Sequence, residues 1–189
     1  LDIGCGTGEF LALTKNQNWT SFGIEPNENA RRKAKLKNID VTANFEELNQ
    51  QKFNVITLWH VLEHLPDLPN QIKKITNLLE TKGTLIIAVP NFKSYDAKYY
   101  KEHWAAYDTP RHLWHFSQQS IINLFKEKNF KVIKTIPMKF DSYYVSLLSE
   151  KYKNGKQNYL KAIYRGWLSN YKAKRTTEYS SLIYVLKKE

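Results

Sequence analysis

The sequence is nearly free of cysteine and has no long apolar run. Cys5 is the single cysteine in 189 residues, so neither an internal disulfide nor a cysteine-rich metal site can form. No apolar run approaches the roughly 18 residues that span a bilayer, and the first residues lack a secretory signal pattern. A reducing, cytoplasmic setting is therefore expected.

An initiator methionine is missing as well. The sequence opens on Leu1-Asp2-Ile3, inside an apparent strand, which indicates a chain truncated at its N-terminus. The length suits one domain, and a hydrophobic content of 42% is enough for a core. We therefore expect a single domain over residues 1–189.

Acidic residues are absent from 151–175, where eight Lys and Arg residues occur in a chain of formal net charge +11. A stretch of this charge suits anionic lipid, nucleic acid or an acidic substrate. A solvated basic surface is the simpler interpretation.

Apolar segments of strand length alternate with segments of helical periodicity over the first half of the chain. This alternation predicts an α/β fold with a parallel sheet and helices on both faces. The predicted strands are 1–3, 21–25, 40–42, 53–59, 84–89, 130–136 and 179–186, and the predicted helices are 9–15, 27–36, 71–80 and 117–128.

Two segments interrupt the alternation. Residues 91–116 hold eight Phe, Tyr and Trp residues and three His without a clean period, and are interpreted as an aromatic lid insertion. Residues 141–175 form a helical insertion before the last strand. Its second helix carries an apolar stripe for which packing over the substrate pocket is favoured, with a homodimer face or a membrane surface as alternatives. The stripe is Leu160, Ile163, Tyr164, Trp167, Leu168 and Tyr171.

A glycine cluster lies where the first strand meets the first helix. Gly4, Gly6 and Gly8 permit a sharp turn and allow a ligand to approach the backbone. Glu9 stands where a dinucleotide fingerprint needs its third glycine. The loop therefore favours a nucleoside ligand without phosphates over a nicotinamide dinucleotide.

Glu25 ends the second strand, roughly 20 residues after the glycines, where a ribose-binding acid belongs. Its carboxylate can accept hydrogen bonds from both ribose hydroxyls. The alternative is a strand-end carboxylate in water, but position and spacing together favour the ligand.

With these motifs in place, LDIGCGTGEFL followed by GIEP resembles motifs I and II of the class I S-adenosylmethionine-dependent methyltransferases. FNVITLWHVLEHLPD and the lid segment from IIAVPNF to HLWHFS resemble its small-molecule branch. The resemblance implies a Rossmann-like three-layer sandwich with a seven-stranded, mostly parallel sheet in the order 3-2-1-4-5-7-6 and an antiparallel last strand. It also implies methyl transfer from S-adenosylmethionine to a small molecule, more often at oxygen than at nitrogen or carbon, with S-adenosylhomocysteine as product.

The resemblance also assigns roles to the cofactor residues. The glycines, with Cys5, shape the loop around the methionine part, Asp2 helps to hold its amino group, and Glu25 with Pro26 binds the ribose. Asn44 and Phe45 contact adenine. Trp59 and His60 lie beside the transferable methyl group. Three departures from the family pattern are Asn44 and Asn54, where Asp is usual, and the missing N-terminus, where relatives have helices that cover part of the cofactor.

Fewer sequence features point to the residues that bind or deprotonate the methyl acceptor. For a hydroxyl acceptor, a histidine base is the usual choice, with His112 the first candidate and His60 the second. Arg111 is a candidate for holding an anionic group of the substrate. The alternative is that Asp108, Arg111 and His112 form a structural network that fixes the lid.

His60-Val61-Leu62-Glu63-His64 also fits the inverted zinc-protease motif H-x-x-E-H. That motif needs a continuous helix, whereas Pro66 leaves about one turn and no third ligand stands out. No metal is therefore expected, and Glu63 and His64 are predicted to secure the local turn.

Three rival functions remain. A nicotinamide oxidoreductase is disfavoured by the glycine spacing, and a non-catalytic binding module is disfavoured by the intact glycines and Glu25. A nucleic-acid methyltransferase is disfavoured because this sequence lacks an N-P-P-Y or Pro-Cys motif. Nucleic acid is therefore not the expected partner, and a small-molecule acceptor is preferred.

Overall fold

The computed structural model describes residues 1–48 and 51–188, in which one twisted sheet forms the centre. Its strands are β1 (Asp2–Ile3), β2 (Phe22–Ile24), β3 (Asp40–Thr42), β4 (Phe53–Trp59), β5 (Leu79–Pro90), β6 (Phe130–Pro137) and β7 (Ser181–Lys188). The helices are α1 (Glu9–Lys15), α2 (Glu28–Leu36), α3 (Leu68–Leu78), α4 (Tyr95–Tyr100), α5 (Gln118–Lys126), α6 (Asp141–Asn154) and α7 (Tyr159–Thr176).

The strand order is β3-β2-β1-β4-β5-β7-β6, which confirms the predicted topology. The first five strands are parallel to one another, and β7 runs antiparallel to both β5 and β6. The order reverses beside β1, and open α/β sheets bind ligands at such a switch point, beyond the carboxyl ends of the strands. A ligand site is therefore expected at the carboxyl ends of β1, β2 and β4.

Local signals placed most element boundaries well. The side chains of Asn27 and Ser117 accept hydrogen bonds from the third helical residue of α2 and α5, as expected of N-caps. The predicted helix over 71–80 instead covers 68–78. Leu79 leaves the helix because it pairs with Phe53 and begins a longer β5.

The lid prediction of an irregular segment over 91–116 was wrong in part. The segment contains α4 and two short 3-10 turns, Lys101–His103 and Ala105–Tyr107. Tyr100 and Trp104 are buried in a second hydrophobic core that Val145 of α6 completes. The two insertions therefore pack on each other beside the sheet.

A buried carboxylate holds this second core together. Asp96 is fully buried and accepts hydrogen bonds from Nε1 of Trp104 at 2.8 Å and from the hydroxyls of Ser169 and Ser180 at 2.6 and 2.7 Å. These donors come from the lid, from α7 and from the residue before β7. Since removal of any partner would leave a buried charge poorly satisfied, the network fixes the lid against the sheet.

The favoured interpretation of the α7 stripe, that it packs over the substrate pocket, was wrong. Five of its six residues face solvent, from Tyr171 at 50% exposed to Leu160 at 84%. The buried face consists of small residues, Ala162, Gly166, Ser169 and Ala173. At Gly166 an added Cβ would lie 2.8 Å from the Cα of Tyr143, so α6 and α7 approach too closely for large side chains. Within the described residues, no helix has the length and hydropathy needed to cross a membrane.

Candidate active site

The glycine loop follows β1 and turns sharply into α1. Gly4, Gly6 and Gly8 all have positive φ, at 72°, 54° and 77°, a conformation that L-residues with side chains rarely adopt. A Cβ on Gly4 would lie 2.5 Å from Cγ2 of Val61, and one on Gly8 would lie 3.0 Å from Cβ of Ala34. At Gly6 the space is open. The loop is therefore packed at both ends and free to approach a ligand at its middle.

The carboxylate of Glu25 lies against this loop. Its Oε2 accepts a hydrogen bond from the backbone N–H of Gly6 at 2.9 Å, and its Oε1 accepts one from Asn27 at 2.8 Å. The parallel pairing of β1 with β2, in the register Ile3 to Ile24, brings the two strand ends together. The predicted meeting of a glycine-lined tip with a carboxylate-bearing tip is present.

Asp2 lies beneath the loop and is only 3% exposed. Its Oδ1 accepts a hydrogen bond from the hydroxyl of Thr57 on β4 at 2.6 Å. Burial raises the pKa of Asp2 to about 6, although the Thr57 hydrogen bond and the charge of the N-terminal amine favour the carboxylate. A cationic group of a ligand above Asp2 would stabilise its ionised form.

A cavity of about 400 Å³ lies at this edge of the sheet. It is lined by Trp59 together with Asp2, Gly4, Thr7 and Phe10. The Phe10 ring meets the Trp59 indole edge-on, at 5.2 Å between centroids. The indole N–H of Trp59 is buried and has no hydrogen-bond partner among the described residues. A buried donor without a partner commonly marks a ligand position.

Among the other predicted cofactor residues, Cys5 also lines this cavity, whereas Pro26 and Asn44 lie outside its lining. Cys5 packs with Leu11, and burial raises the pKa of its thiol to about 12, so its side chain belongs to the core and its backbone to the loop. Pro26 is exposed beside Glu25. Asn44 Oδ1 accepts a hydrogen bond from the Glu47 N–H at 3.2 Å, which leaves one lone pair for another donor.

Two more predicted positions have structural explanations. Phe45 packs against the main core, and the ammonium of Lys74 lies 5.8 Å from its ring centroid. Asn54 lies early in β4, at the opposite end of the strand from Trp59. The departure from Asp at position 54 therefore does not touch the strand tips.

His60 follows β4 in a left-handed conformation, with φ of 54°. Its Nδ1 lies 3.3 Å from Oε1 of Glu63, and its Nε2 lies 3.2 Å from Oδ2 of Asp141. Burial disfavours the charged ring, but the hydrogen bonds and charges of the two carboxylates outweigh burial and raise the pKa of His60 to about 9. Both ring nitrogens of His60 therefore face carboxylate oxygens, and its role as a general base stays a prediction.

A second cavity of about 350 Å³ lies between the lid and α6. His112 is nearly buried there, and its Nδ1 lies 2.8 Å from the carbonyl oxygen of Ala106. Arg111 is exposed and pairs with Asp108 at 2.7 Å, so part of the alternative structural network exists. Other lining residues are His60, Pro90, Asp141, Tyr144, Leu148 and Tyr152.

Sequence reasoning missed the contribution of α6. The α6 residues of this cavity lie more than 80 residues beyond the tip of β4 in the sequence, and no local motif predicts their position there. They are Asp141, Tyr144 and Tyr152. It also missed the role of Glu63, whose backbone carbonyl accepts hydrogen bonds from Leu113 and Trp114. Glu63 and His64 therefore secure the lid to the β4 turn, which is more than the local turn predicted.

Family comparison agrees with this geometry: residues 1–135 match the model of a family described as a methyltransferase domain. The chain belongs to this methyltransferase family. Its membership confirms the resemblance to the class I S-adenosylmethionine-dependent methyltransferases.

Solved structures with the same fold cover nearly all of the chain. A Thermotoga maritima S-adenosylmethionine-dependent methyltransferase is 18% identical, with a TM-score of 0.68, covering 100% of this chain and 80% of its own. Phosphoethanolamine N-methyltransferase 2 of Haemonchus contortus, in complex with S-adenosyl-L-methionine, is 15% identical, with a TM-score of 0.64, covering 99% of this chain and 47% of its own. At these identities the likeness establishes the fold.

Curated relatives match over about half of the chain. An uncharacterised protein of Methanocaldococcus jannaschii is 34% identical over 93 residues, 48% of this chain and 40% of the relative. The ubiquinone biosynthesis O-methyltransferase of Actinobacillus pleuropneumoniae is 31% identical over 105 residues, 48% of this chain and 45% of the relative. The aligned part is less than half the length of either curated relative.

Proposed function

We propose that this chain transfers the methyl group of S-adenosylmethionine to a hydroxyl of a small-molecule acceptor. The observation that carries the proposal is the pairing of two strand tips, where the Glu25 carboxylate lies 2.9 Å from the Gly6 N–H. Buried Asp2 and the unpartnered indole N–H of Trp59 lie at the same edge of the sheet.

The residues at this edge fit the cofactor in chemistry and in space. The open approach at Gly6 admits the methionine part, and the carboxylate of Asp2 suits its ammonium group. When the cofactor binds, the Glu25 carboxylate gives up its hydrogen bonds from the backbone N–H groups of Gly6 and Asn27 and accepts hydrogen bonds from the ribose hydroxyls. Asn44 keeps a lone pair for the amino group of adenine.

The acceptor occupies the second cavity in this proposal. Trp59 lines the first cavity and the adjacent residue, His60, lines the second, so both cavities border the tip of β4. The acceptor oxygen forms a bond to the methyl carbon as the carbon–sulfur bond breaks, and sulfur keeps the electron pair of the thioether. The hydroxyl proton leaves with the help of His112. The fold supplies alignment and excludes water.

Methylation at oxygen is preferred for two reasons. Several curated relatives are ubiquinone biosynthesis O-methyltransferases, and His112 places an imidazole in the wall of the acceptor cavity. A hydroxyl acceptor must lose a proton, so it has more use for such a group than a neutral amine has.

The test of the cofactor site is Glu25→Ala. Hydrogen bonds to a charged group contribute about 1.5–3 kcal/mol, so the variant is expected to bind S-adenosylhomocysteine roughly 10- to 100-fold more weakly in calorimetric titration. Glu28→Ala is the matched control, because Glu28 is an exposed carboxylate that pairs with Arg32 on the surface of α2. Equal affinity of the two variants would remove Glu25 from the site.

A specific observation favours a second candidate, an acceptor carried in a membrane surface. Exposed apolar side chains of α7, those of Leu160, Ile163 and Trp167, lie on the same helix as the exposed basic residues Lys174 and Arg175. Apolar side chains at this exposure beside cationic ones are typical of helices that lie on anionic lipid.

This candidate predicts that the protein co-sediments with vesicles containing anionic lipid and remains in solution with vesicles of neutral lipid. Replacing both Leu160 and Trp167 by Ser is expected to abolish sedimentation. Leu36→Ser is the matched control, because Leu36 is 85% exposed on the distant helix α2. Equal sedimentation with anionic and neutral vesicles, or concentration-dependent self-association through α7, would contradict the membrane role.

A further inference from the structure

Three potential metal ligands meet where the lid contacts the β4 turn. Glu63 and His64 come from the short turn after β4, and His112 comes from the lid. One ligand atom of each residue lies within 4.8 Å of the other two. The two imidazoles meet edge-on, with their centroids 4.6 Å apart.

Both histidines are held by the same kind of contact, between Nδ1 and a backbone carbonyl oxygen. Nδ1 of His64 lies 3.0 Å from the carbonyl oxygen of Arg111, and Nδ1 of His112 lies 2.8 Å from that of Ala106. A carbonyl oxygen only accepts, so each Nδ1 carries the proton and donates it. In the neutral ring this leaves the Nε2 lone pair for a metal ion, which is the arrangement found behind metal-binding histidines; Nε2 of His112 also lies 3.8 Å from Oδ2 of Asp108.

The carboxylate of Glu63 is the unexplained member of the group. Glu63 is 0% exposed, and His60 lies 3.3 Å from its Oε1. Its Oε2 has no hydrogen-bond partner among the described residues. A buried carboxylate oxygen without a partner is unfavourable, and a bound cation would remove that cost.

We propose that Glu63, His64 and His112 bind a divalent transition-metal ion of the zinc type. Two imidazoles and one carboxylate form the ligand set of zinc sites that keep an open position. At bond lengths of about 2.0–2.1 Å, tetrahedral ligand atoms are roughly 3.4 Å apart, so small side-chain movements complete the site. The H-x-x-E-H motif acts differently from its protease use, because His60 positions Glu63 and the third ligand comes from the lid.

The ion would do two things at this position. It would join the lid to the β4 turn, in addition to the two backbone hydrogen bonds accepted by Glu63. Its open position would lie beside the acceptor cavity that His112 lines, where a coordinated hydroxyl loses its proton to solvent more easily. The metal site itself stands on geometry, whereas this second role rests on the proposed methyl transfer and explains how His112 assists it.

Direct metal binding tests the proposal without any methyl acceptor. Metal-free protein is titrated with Co²⁺ and followed by visible absorption, and then with Zn²⁺ by competition. The wild type is expected to bind one equivalent, and Glu63→Gln, His64→Ala and His112→Ala are each expected to weaken binding at least 10-fold. His103→Ala is the matched control, because His103 lies outside the cluster beside Glu102.

Thermal unfolding with and without Zn²⁺ distinguishes loss of the site from loss of the fold. Zn²⁺ is expected to raise the Tm of the wild type and of His103→Ala, and to leave the Tm of the three ligand variants unchanged. Binding that survives in all three ligand variants, or a wild type that takes up no ion, would overturn the proposal. S-adenosylhomocysteine titrated into the same samples reports the cofactor site separately, so a failure of the proposed function would show there alone.

Discussion

His112→Ala is expected to lower turnover about 100-fold while the affinity for S-adenosylhomocysteine stays near that of the wild type. The imidazole lies in the wall of the second cavity, the proposed acceptor site, with Nδ1 held by the carbonyl oxygen of Ala106 and Nε2 3.8 Å from Oδ2 of Asp108. Whether Nε2 takes the hydroxyl proton or holds an ion that releases it, its loss affects kcat more than cofactor binding. The measurement is S-adenosylhomocysteine formation with an acceptor found by screening hydroxyl compounds.

Two comparisons separate chemistry from folding in this experiment. His103→Ala removes a half-buried histidine of the same lid and is expected to turn over normally. His112→Gln keeps a hydrogen-bond donor for the Ala106 carbonyl, so it is expected to preserve the lid and still lose turnover. Normal turnover of His112→Ala would remove this residue from the mechanism.

Gly4→Ala is expected to destabilise the protein and to disrupt cofactor binding together. The left-handed backbone at φ of 72° costs a residue with a side chain about 1–2 kcal/mol, and overpacking costs a further ~1–3 kcal/mol. The new methyl would lie 2.5 Å from Cγ2 of Val61, so the loop must move. A fall in Tm of roughly 5–15 °C is expected for a chain of this length.

A second substitution separates the steric conflict with Val61 from the backbone strain at position 4. In Gly4→Ala with Val61→Ala the steric conflict is gone and the backbone strain remains, so about half of the lost stability should return. At Gly6 an added Cβ would meet no atom of the described residues beyond its chain neighbours within 4 Å, so Gly6→Ala isolates the backbone strain in a protein stable enough to study. A double variant no more stable than Gly4→Ala would show that contact with Val61 does not set the loop.

Much of the fold and of the cofactor site could be predicted from the sequence because the signals are local. The β-rich runs, the Asn27 cap and the glycines each specify their own conformation within a few residues. The ordered motifs then identify the family, and the family implies the strand order. Glu25 was predictable because one parallel crossover fixes its distance from the glycines.

The acceptor side could not be predicted in the same way because its contacts are long-range. The apolar spacing of α7 indicated a buried stripe, yet the close approach at Gly166 gives the buried face to small residues and leaves Trp167 exposed. Glu63 and His112 are 49 positions apart, and Asp141 reaches His60 from α6. No periodicity encodes such meetings; they arise only when the two insertions pack together.

The most direct test of the whole account is a calorimetric titration of the wild-type protein with S-adenosylhomocysteine, repeated in the presence of excess NAD⁺. The account predicts saturable binding of one nucleoside per chain that NAD⁺ leaves unchanged. No heat of binding, or displacement by NAD⁺, would contradict the claim that these paired strand tips hold an S-adenosyl cofactor.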